Sequence, residues 1–309
     1  MQVRQFLNLL VLLPLLFVGI AGCNQAHQPK KWRMYKEVVD IKERLQRKKL
    51  KVAVRETHSV DQGDSLLPWF LSGQNFYDES GFDTLALEFD AKGQILKKTR
   101  NIYKDSLLMV NIVQESSGYH SRTEFQYNEQ GHKVSDLMFK RGDSLMRRDY
   151  TLDKNGNETT VHLFKFRDRS KFKLETKRNA KGEPVKVTEF QDGKANWSEV
   201  YDIQDTLWII KRTRADGKLQ SDYQMGFNAD GQVTRMINKD DAGKTRMKVT
   251  FSYGANGQVA EEKYWTPQGI VTQRSTFKYD ENGLLSETAF HSKSVSFPIV
   301  TKHSYKFRN

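Results

Sequence analysis

Along most of this chain apolar and polar residues alternate for the length of a strand, then give way to a short polar turn that carries a glycine. The clearest instance is Phe277-Lys278-Tyr279-Asp280-Glu281-Asn282-Gly283-Leu284-Leu285. A period of two puts successive side chains on opposite faces of a β-strand, and a glycine turn followed by a fresh apolar run is how a hairpin is written. Near copies run from Phe251 (FSYGANGQV), Phe227 (FNADGQV) and Tyr127 (YNEQGHKV).

The copies align on Gly93, Gly131, Gly156, Gly182, Gly231, Gly257 and Gly283. Their spacings are 38, 25, 26, 49, 26 and 26. The gap of 49 hides a degenerate copy at Tyr201 to Asp205, with Asp205 in the glycine position, and the gap of 38 implies an insertion of about one strand. Tyr77 to Gly81 reads as a half copy ahead of the first.

Four residues before the aligned position stand Phe89, Tyr127, Leu152, Arg178, Tyr201, Phe227, Tyr253 and Tyr279. Same-parity positions share a face, so the aromatic ones (Phe89, Tyr127, Tyr201, Phe227, Tyr253, Tyr279) predict one aromatic ladder, with charged residues on the opposite face. Second turns at Asp192-Gly193, Asp216-Gly217, Asp241-Ala242-Gly243 and Pro267-Gln268-Gly269 make two strands per repeat. The predicted fold is all-β: an antiparallel meander of about 26-residue two-stranded repeats over residues 51–309, forming a curled or open sheet of some sixteen to twenty strands. Ser304 to Arg308 reads as a last strand without a cap.

The pattern changes to helical over residues 32–50, where Met34, Val38, Ile41 and Leu45 fall on one face among many basic residues. This amphipathic helix is expected to cap the first edge strand; attraction to anionic headgroups is the competing reading. Ahead of it, Arg4 precedes an apolar run from Phe6 to Ala21 interrupted by Asn8 and Pro14. A basic start, an apolar core and small residues at its end mark a secretory signal over residues 1–22, too short and too broken for a comfortable membrane span.

Two stretches resemble known families. Ile20-Ala21-Gly22-Cys23 resembles the lipobox of bacterial lipoproteins, which implies cleavage before Cys23, acylation of that residue, and a tether over residues 23–31. Asn24 and the lack of an acidic cluster in the tether lean toward an outer-membrane anchor facing the periplasm. The core Tyr279-Asp280-Glu281-Asn282-Gly283 and its copies resemble the YD repeats of the rearrangement-hot-spot family and of small lipoproteins built from them. That resemblance implies hairpin repeats over roughly residues 77–309; the toxin shell of the large members is not implied for a chain of this length.

Composition adds little chemistry. Cys23 is the only cysteine, so no disulfide is available. The histidines at 27, 58, 120, 132, 162, 291 and 303 show no metal-ligand spacing, and His132 reads as a solvated hairpin residue. Asp153 to Glu158 resembles half a calcium loop, yet sibling copies fill the same offsets with turn residues. No catalytic residue, metal or cofactor is expected. Fifty Lys and Arg against 38 Asp and Glu, a net charge of +12, predict broad basic surface. For an extracytoplasmic lipoprotein this excludes nucleic acid and points to an anionic polysaccharide, lipid phosphate or acidic protein. The expected function is therefore a monomeric, non-enzymatic binding or scaffolding surface held on the membrane. The alternative is a half-barrel carrier holding a lipid or acyl chain against its aromatic face.

Overall fold

The computed structural model describes residues 35–59, 69–293 and 298–309, so the signal, Cys23 and the tether lie outside the described residues. One helix, α1 (Tyr35–Lys49), precedes twenty strands. In chain order these are β1 (Val52–Ser59), β2 (Phe70–Tyr77), β3 (Asp83–Phe89), β4 (Ile95–Lys104), β5 (Leu107–Glu115), β6 (His120–Tyr127), β7 (Lys133–Lys140), β8 (Asp143–Leu152), β9 (Glu158–Lys165) and β10 (Lys171–Arg178). The second half comprises β11 (Pro184–Gln191), β12 (Lys194–Ile203), β13 (Leu207–Arg214), β14 (Leu219–Phe227), β15 (Val233–Lys239), β16 (Thr245–Tyr253), β17 (Val259–Trp265), β18 (Val271–Tyr279), β19 (Leu285–Ser292) and β20 (Ile299–Phe307). Every strand pairs antiparallel with its neighbour in sequence.

The sheet is neither open nor merely curled. β20, expected to end uncapped, pairs along its length with β1, from Val52 opposite Phe307 to Ser59 opposite Thr301. Arg308 then donates its backbone N–H to Lys51 O. Twenty strands thus close into a barrel with no free edge, which is the complete solution to the edge problem that a capping helix was expected to solve. The periodicity could not show this, because closure is a contact between the two ends of the array.

The hairpins are built as the sequence predicts. In the turn at Gly283, Gly283 donates to Asp280 O and Asp280 N–H to Leu284 O, while Asp280 Oδ1 accepts from the amides of Asn282 and Leu284. Gly283 sits at φ 74°, where glycine carries no Cβ penalty, and a bulge follows between Lys278 and Tyr279. Asp153 is occupied the same way: its Oδ1 accepts from the amides of Asn155 and Asn157, which accounts for the calcium-like look of that segment.

Gly93 is a correction. An odd number of strands, β4 to β6, separates it from Gly131, so the two turns lie at opposite ends of the barrel. Gly81 holds the true register, with Asp105-Ser106 as the next copy; both of those residues adopt positive φ. Phe89 therefore leaves the ladder. It shares parity with Leu85 and Leu87, whose cross-strand partners Arg100 and Lys98 are exposed on the outside. Tyr127, Tyr201, Phe227, Tyr253 and Tyr279 do share one face. That face also holds buried Tyr77, Tyr150, Val161, Trp208, Ile210, Val249 and Val259, and burial concentrated on one face of a closed wall identifies it as the interior.

α1 also differs from expectation. It sits at the end of the barrel that holds Gly81 and Gly283, called the helix end below, where Arg47 Nε donates to Gly81 O and Gln46 Nε2 to Asn282 O. Arg44 lies 4.4 Å over the Phe82 ring and Arg47 4.4 Å over Tyr77. Leu45, expected on the buried stripe, is 53% exposed. Guanidinium faces on aromatic rings replace the aliphatic contacts that the helical spacing suggested.

Candidate binding surfaces

At the helix end several turns are latched to the next. Gln232, just after Gly231, reaches Gly257 O at 2.8 Å, and Gln258, just after Gly257, reaches Gly283 O at 2.7 Å. His132, just after Gly131, packs its ring against Gly156, where an added Cβ would lie 2.1 Å from the His132 Cε1. It is a packed latch rather than the solvated residue expected. Aromatic side chains supply a second latch in three of the repeats: Tyr127, Tyr253 and Tyr305 donate their hydroxyls to the carbonyls of Leu108, Val233 and Leu285 at 2.8, 2.6 and 2.8 Å. The repeat tyrosines are thus structural, joining strand wall to turn. Burial pushes the hydroxyl pKa of Tyr127 and of Tyr253 up to about 12.

The interior face is not the continuous apolar ladder expected. Asp136 is fully buried, accepting from Arg148 Nε at 2.8 Å and from the Tyr150 hydroxyl at 2.6 Å, with Lys133 Nζ 3.6 Å away. Lys133 is itself buried, its ammonium 4.3 Å over the Tyr150 ring. A second cluster places Glu199 against Arg212 at 2.6 Å and the Tyr201 hydroxyl at 2.7 Å, with Arg212 over Trp197. Glu199 keeps the parity of Tyr201 and faces Arg212 in an unshifted register, whereas the Lys133–Asp136 pair was missed because a bulge shifts parity. Lys133 and Asp136 are three apart, yet the bulge after the β6–β7 turn brings both inward, opposite Tyr127 and Phe125.

Glu158, opposite Leu152 on the preceding strand, keeps Oε1 buried without a hydrogen bond. Burial raises its pKa to about 7, against the pull of Lys133, Arg178 and Arg148. The folded chain therefore holds that proton up to about pH 7, while the unfolded carboxyl releases it near 4.5, so stability falls as pH rises across that window. Glu158→Gln is expected to flatten this decline and to make the protein about 1–3 kcal/mol more stable than the parent at pH 8, as measured by urea unfolding at several pH values. A pH profile unchanged by the substitution would contradict the assignment.

The exterior carries the exposed charge. On β10 Lys173, Glu175 and Lys177 share the outer face, and on β18 Arg274 and Lys278 do. A membrane-spanning barrel needs an apolar outward band, which charges at the middle of the strands deny on both faces of this wall. One row is distinctive. Lys177 lies opposite Lys186, Lys186 opposite Val200, Val200 opposite Lys211, Lys211 opposite Asp222, and Asp222 opposite Lys239. Five strand spacings of about 4.8 Å make a track of roughly 24 Å across β10 to β15. Lys177, Lys186, Val200 and Lys211 are exposed, and none of these lysines makes an ion pair among the described residues.

Among the described residues there is no group of three His, Cys, Asp or Glu placed to hold a metal. No helix among them is long and apolar enough to cross a membrane. Cys23, the expected lipid site, lies outside the described residues; Gly131, Gly156, Gly182, Gly231, Gly257 and Gly283 are brought together at the helix end, and Gly93 is not.

No protein-family model matches the chain, and no curated protein sequence matches it. Among solved structures the chain is similar to a porin-like protein from Bacteroides uniformis, at 10% identity and a TM-score of 0.38, over 83% of this chain and 97% of that one. A porin-like protein from Bacteroides vulgatus aligns at 9% identity and a TM-score of 0.30, over 82% and 99% of the two chains. The TccC3-containing Tc holotoxin pore of Photorhabdus luminescens aligns at 13% identity and a TM-score of 0.32, over 75% of this chain and 16% of that one.

Proposed function

We propose that this protein is a lipid-anchored, non-enzymatic barrel of the bacterial envelope, tethered through Cys23 to the outer membrane on its periplasmic side, whose exterior binds an anionic polysaccharide. The observation that carries the binding reading is the transverse track Lys177, Lys186, Lys211 and Lys239, interrupted by a single acid, Asp222. Lysines held about 10 Å or less apart on a rigid wall meet successive charges of a polymer without ordering a loop. Some exterior cations elsewhere are neutralised locally, as in Arg122–Glu124 at 2.6 Å and Arg147–Asp149 at 2.9 Å. The envelope address rests on the lipobox-like Ile20 to Cys23 and the apolar run ahead of it.

The barrel latches described above make the wall stiff, which suits a scaffold. The carrier alternative loses its support on the aromatic face, because Asp136, Lys133, Glu199 and Arg212 interrupt the apolar lining. The test is titration with polygalacturonate and with uncharged dextran at two salt concentrations. Polygalacturonate is expected to bind, more weakly at high salt, and a Lys177→Glu, Lys186→Glu, Lys211→Glu variant to lose at least tenfold in affinity with its melting temperature unchanged. Equal binding of dextran, or full affinity in the variant, would refute the proposal.

A further inference from the structure

A different part of the exterior has other chemistry. Leu96, Lys98, Arg100 and Ile102 alternate along the outer face of β4 and are all exposed. Most of their partners on the flanking strands are aliphatic: Leu87 lies opposite Lys98 and Leu85 opposite Arg100 on β3, while on β5 Ile112 faces Arg100 and Val110 faces Ile102, with the exposed Gln114 opposite Lys98. The wall here borders an open-sided cavity of ≈ 520 Å³ whose lining takes Leu85, Lys98, Arg100 and Ile102 from the outer face and Thr84, Asn101 and Tyr103 from positions of the opposite parity. That volume lies within the range of about 300–1,000 Å³ usual for small-molecule sites.

The combination is specific. Neither Lys98 nor Arg100 has an ion-pair partner among the described residues, although Lys97, one residue away on the opposite face, is held by Glu88 at 3.0 Å. Lys98 and Arg100 are two residues apart on one strand, hence about 7 Å apart, which lets both converge on a single anionic group. Along the same strand the flanking exposed side chains are aliphatic, with Ile102 39% and Leu96 38% exposed. A bare anion would leave this aliphatic rim in water, and a neutral chain would leave two cations unmatched.

We infer that the outer face of β3 and β4 at this cavity is a binding site for a single anionic amphiphile, an alkyl or acyl chain carrying a phosphate or carboxylate head. The head meets Lys98 and Arg100, and the chain lies against Leu85 and Ile102. This site is separate from the lysine track on β10 to β15 and from the interior aromatic face.

The test uses the full chain in nanodiscs of zwitterionic lipid, titrated calorimetrically with octyl phosphate, octyl carboxylate, octyl glucoside and inorganic phosphate. The two anionic chains are expected to bind at least tenfold more tightly than octyl glucoside or inorganic phosphate. Lys98→Ala with Arg100→Ala should reduce that affinity tenfold or more, and Ile102→Asp should do the same, while the Lys177, Lys186 and Lys211 variant binds as the parent does. Both substituted surfaces are exposed, and an unchanged melting curve verifies the fold. Octyl glucoside binding as tightly as octyl phosphate, inorganic phosphate alone matching it, or an unaffected Lys98 and Arg100 variant would overturn the assignment.

Discussion

Removing β20, by ending the chain at Pro298, is expected to abolish the cooperative fold and to leave a species that aggregates or self-associates on gel filtration. β20 holds ladder hydrogen bonds to both β19 and β1, and Tyr305 packs against the buried cluster of Val52, Tyr77 and Leu284. The Tyr305 hydroxyl bonds Leu285 O, and Arg308 donates to Val52 O and Asp78 O. Losing these contacts together exceeds the roughly 5–15 kcal/mol by which a domain is stable, and it leaves β1 and β19 as two raw edges. An open array, in which each repeat is stabilised chiefly by its neighbours, would instead lose one strand at modest cost and stay monomeric. A soluble, cooperatively melting truncated protein would count against closure.

The second large effect is expected at Asp136. Asp136→Ala should destabilise the barrel by about 3–5 kcal/mol, because it strands Lys133 and Arg148 as uncompensated charges and removes the acceptor of the Tyr150 hydroxyl. The side chains of Lys133 and Asp136 are 3% and 0% exposed, so water cannot replace the lost partner. Burial already lowers the Lys133 pKa, and without Asp136 the remaining carboxyl that favours its proton is Glu158, itself raised by burial to about 7. Replacing Lys133 by Met and Asp136 by Leu together should restore the part of the loss that stems from Lys133, while Arg148 stays without its partner. Chemical denaturation of the single and double variants checks both values; a loss under about 1 kcal/mol at Asp136 would mean the cluster is wetter than its burial implies.

Hairpins were legible in the sequence because turn chemistry is local. Asp280, Asn282 and Gly283 specify their own loop, and the same types recur at the same offsets in each copy. The phase of the first copy was not legible. Gly93 and Gly81 make equivalent turns, and only the count of strands between them and Gly131 tells which end of the barrel each occupies. Glu199 was legible on the aromatic face, two residues before Tyr201. The Lys133–Asp136 pair was hidden by a bulge, since strict alternation puts these two on opposite faces, whereas the paired register puts both inside. Closure was hidden for a different reason: Glu56 and Ser304 are strand residues like any others until they meet, and no local pattern marks that pairing.

The most direct measurement is cross-linking of the first strand to the last. With Cys23 replaced by Ser, cysteines placed at Glu56 and Ser304, or at Thr57 and His303, stand opposite one another in the β1–β20 ladder, within the Cα range of about 4.4–6.8 Å that a disulfide spans. A closed barrel predicts rapid intramolecular disulfide formation under mild oxidation at one or both pairs, as efficient as at a control pair such as Thr276 and Ala289 within the β18–β19 hairpin. Cross-linking at the control pair with none between β1 and β20, or with only intermolecular products there, would contradict the account.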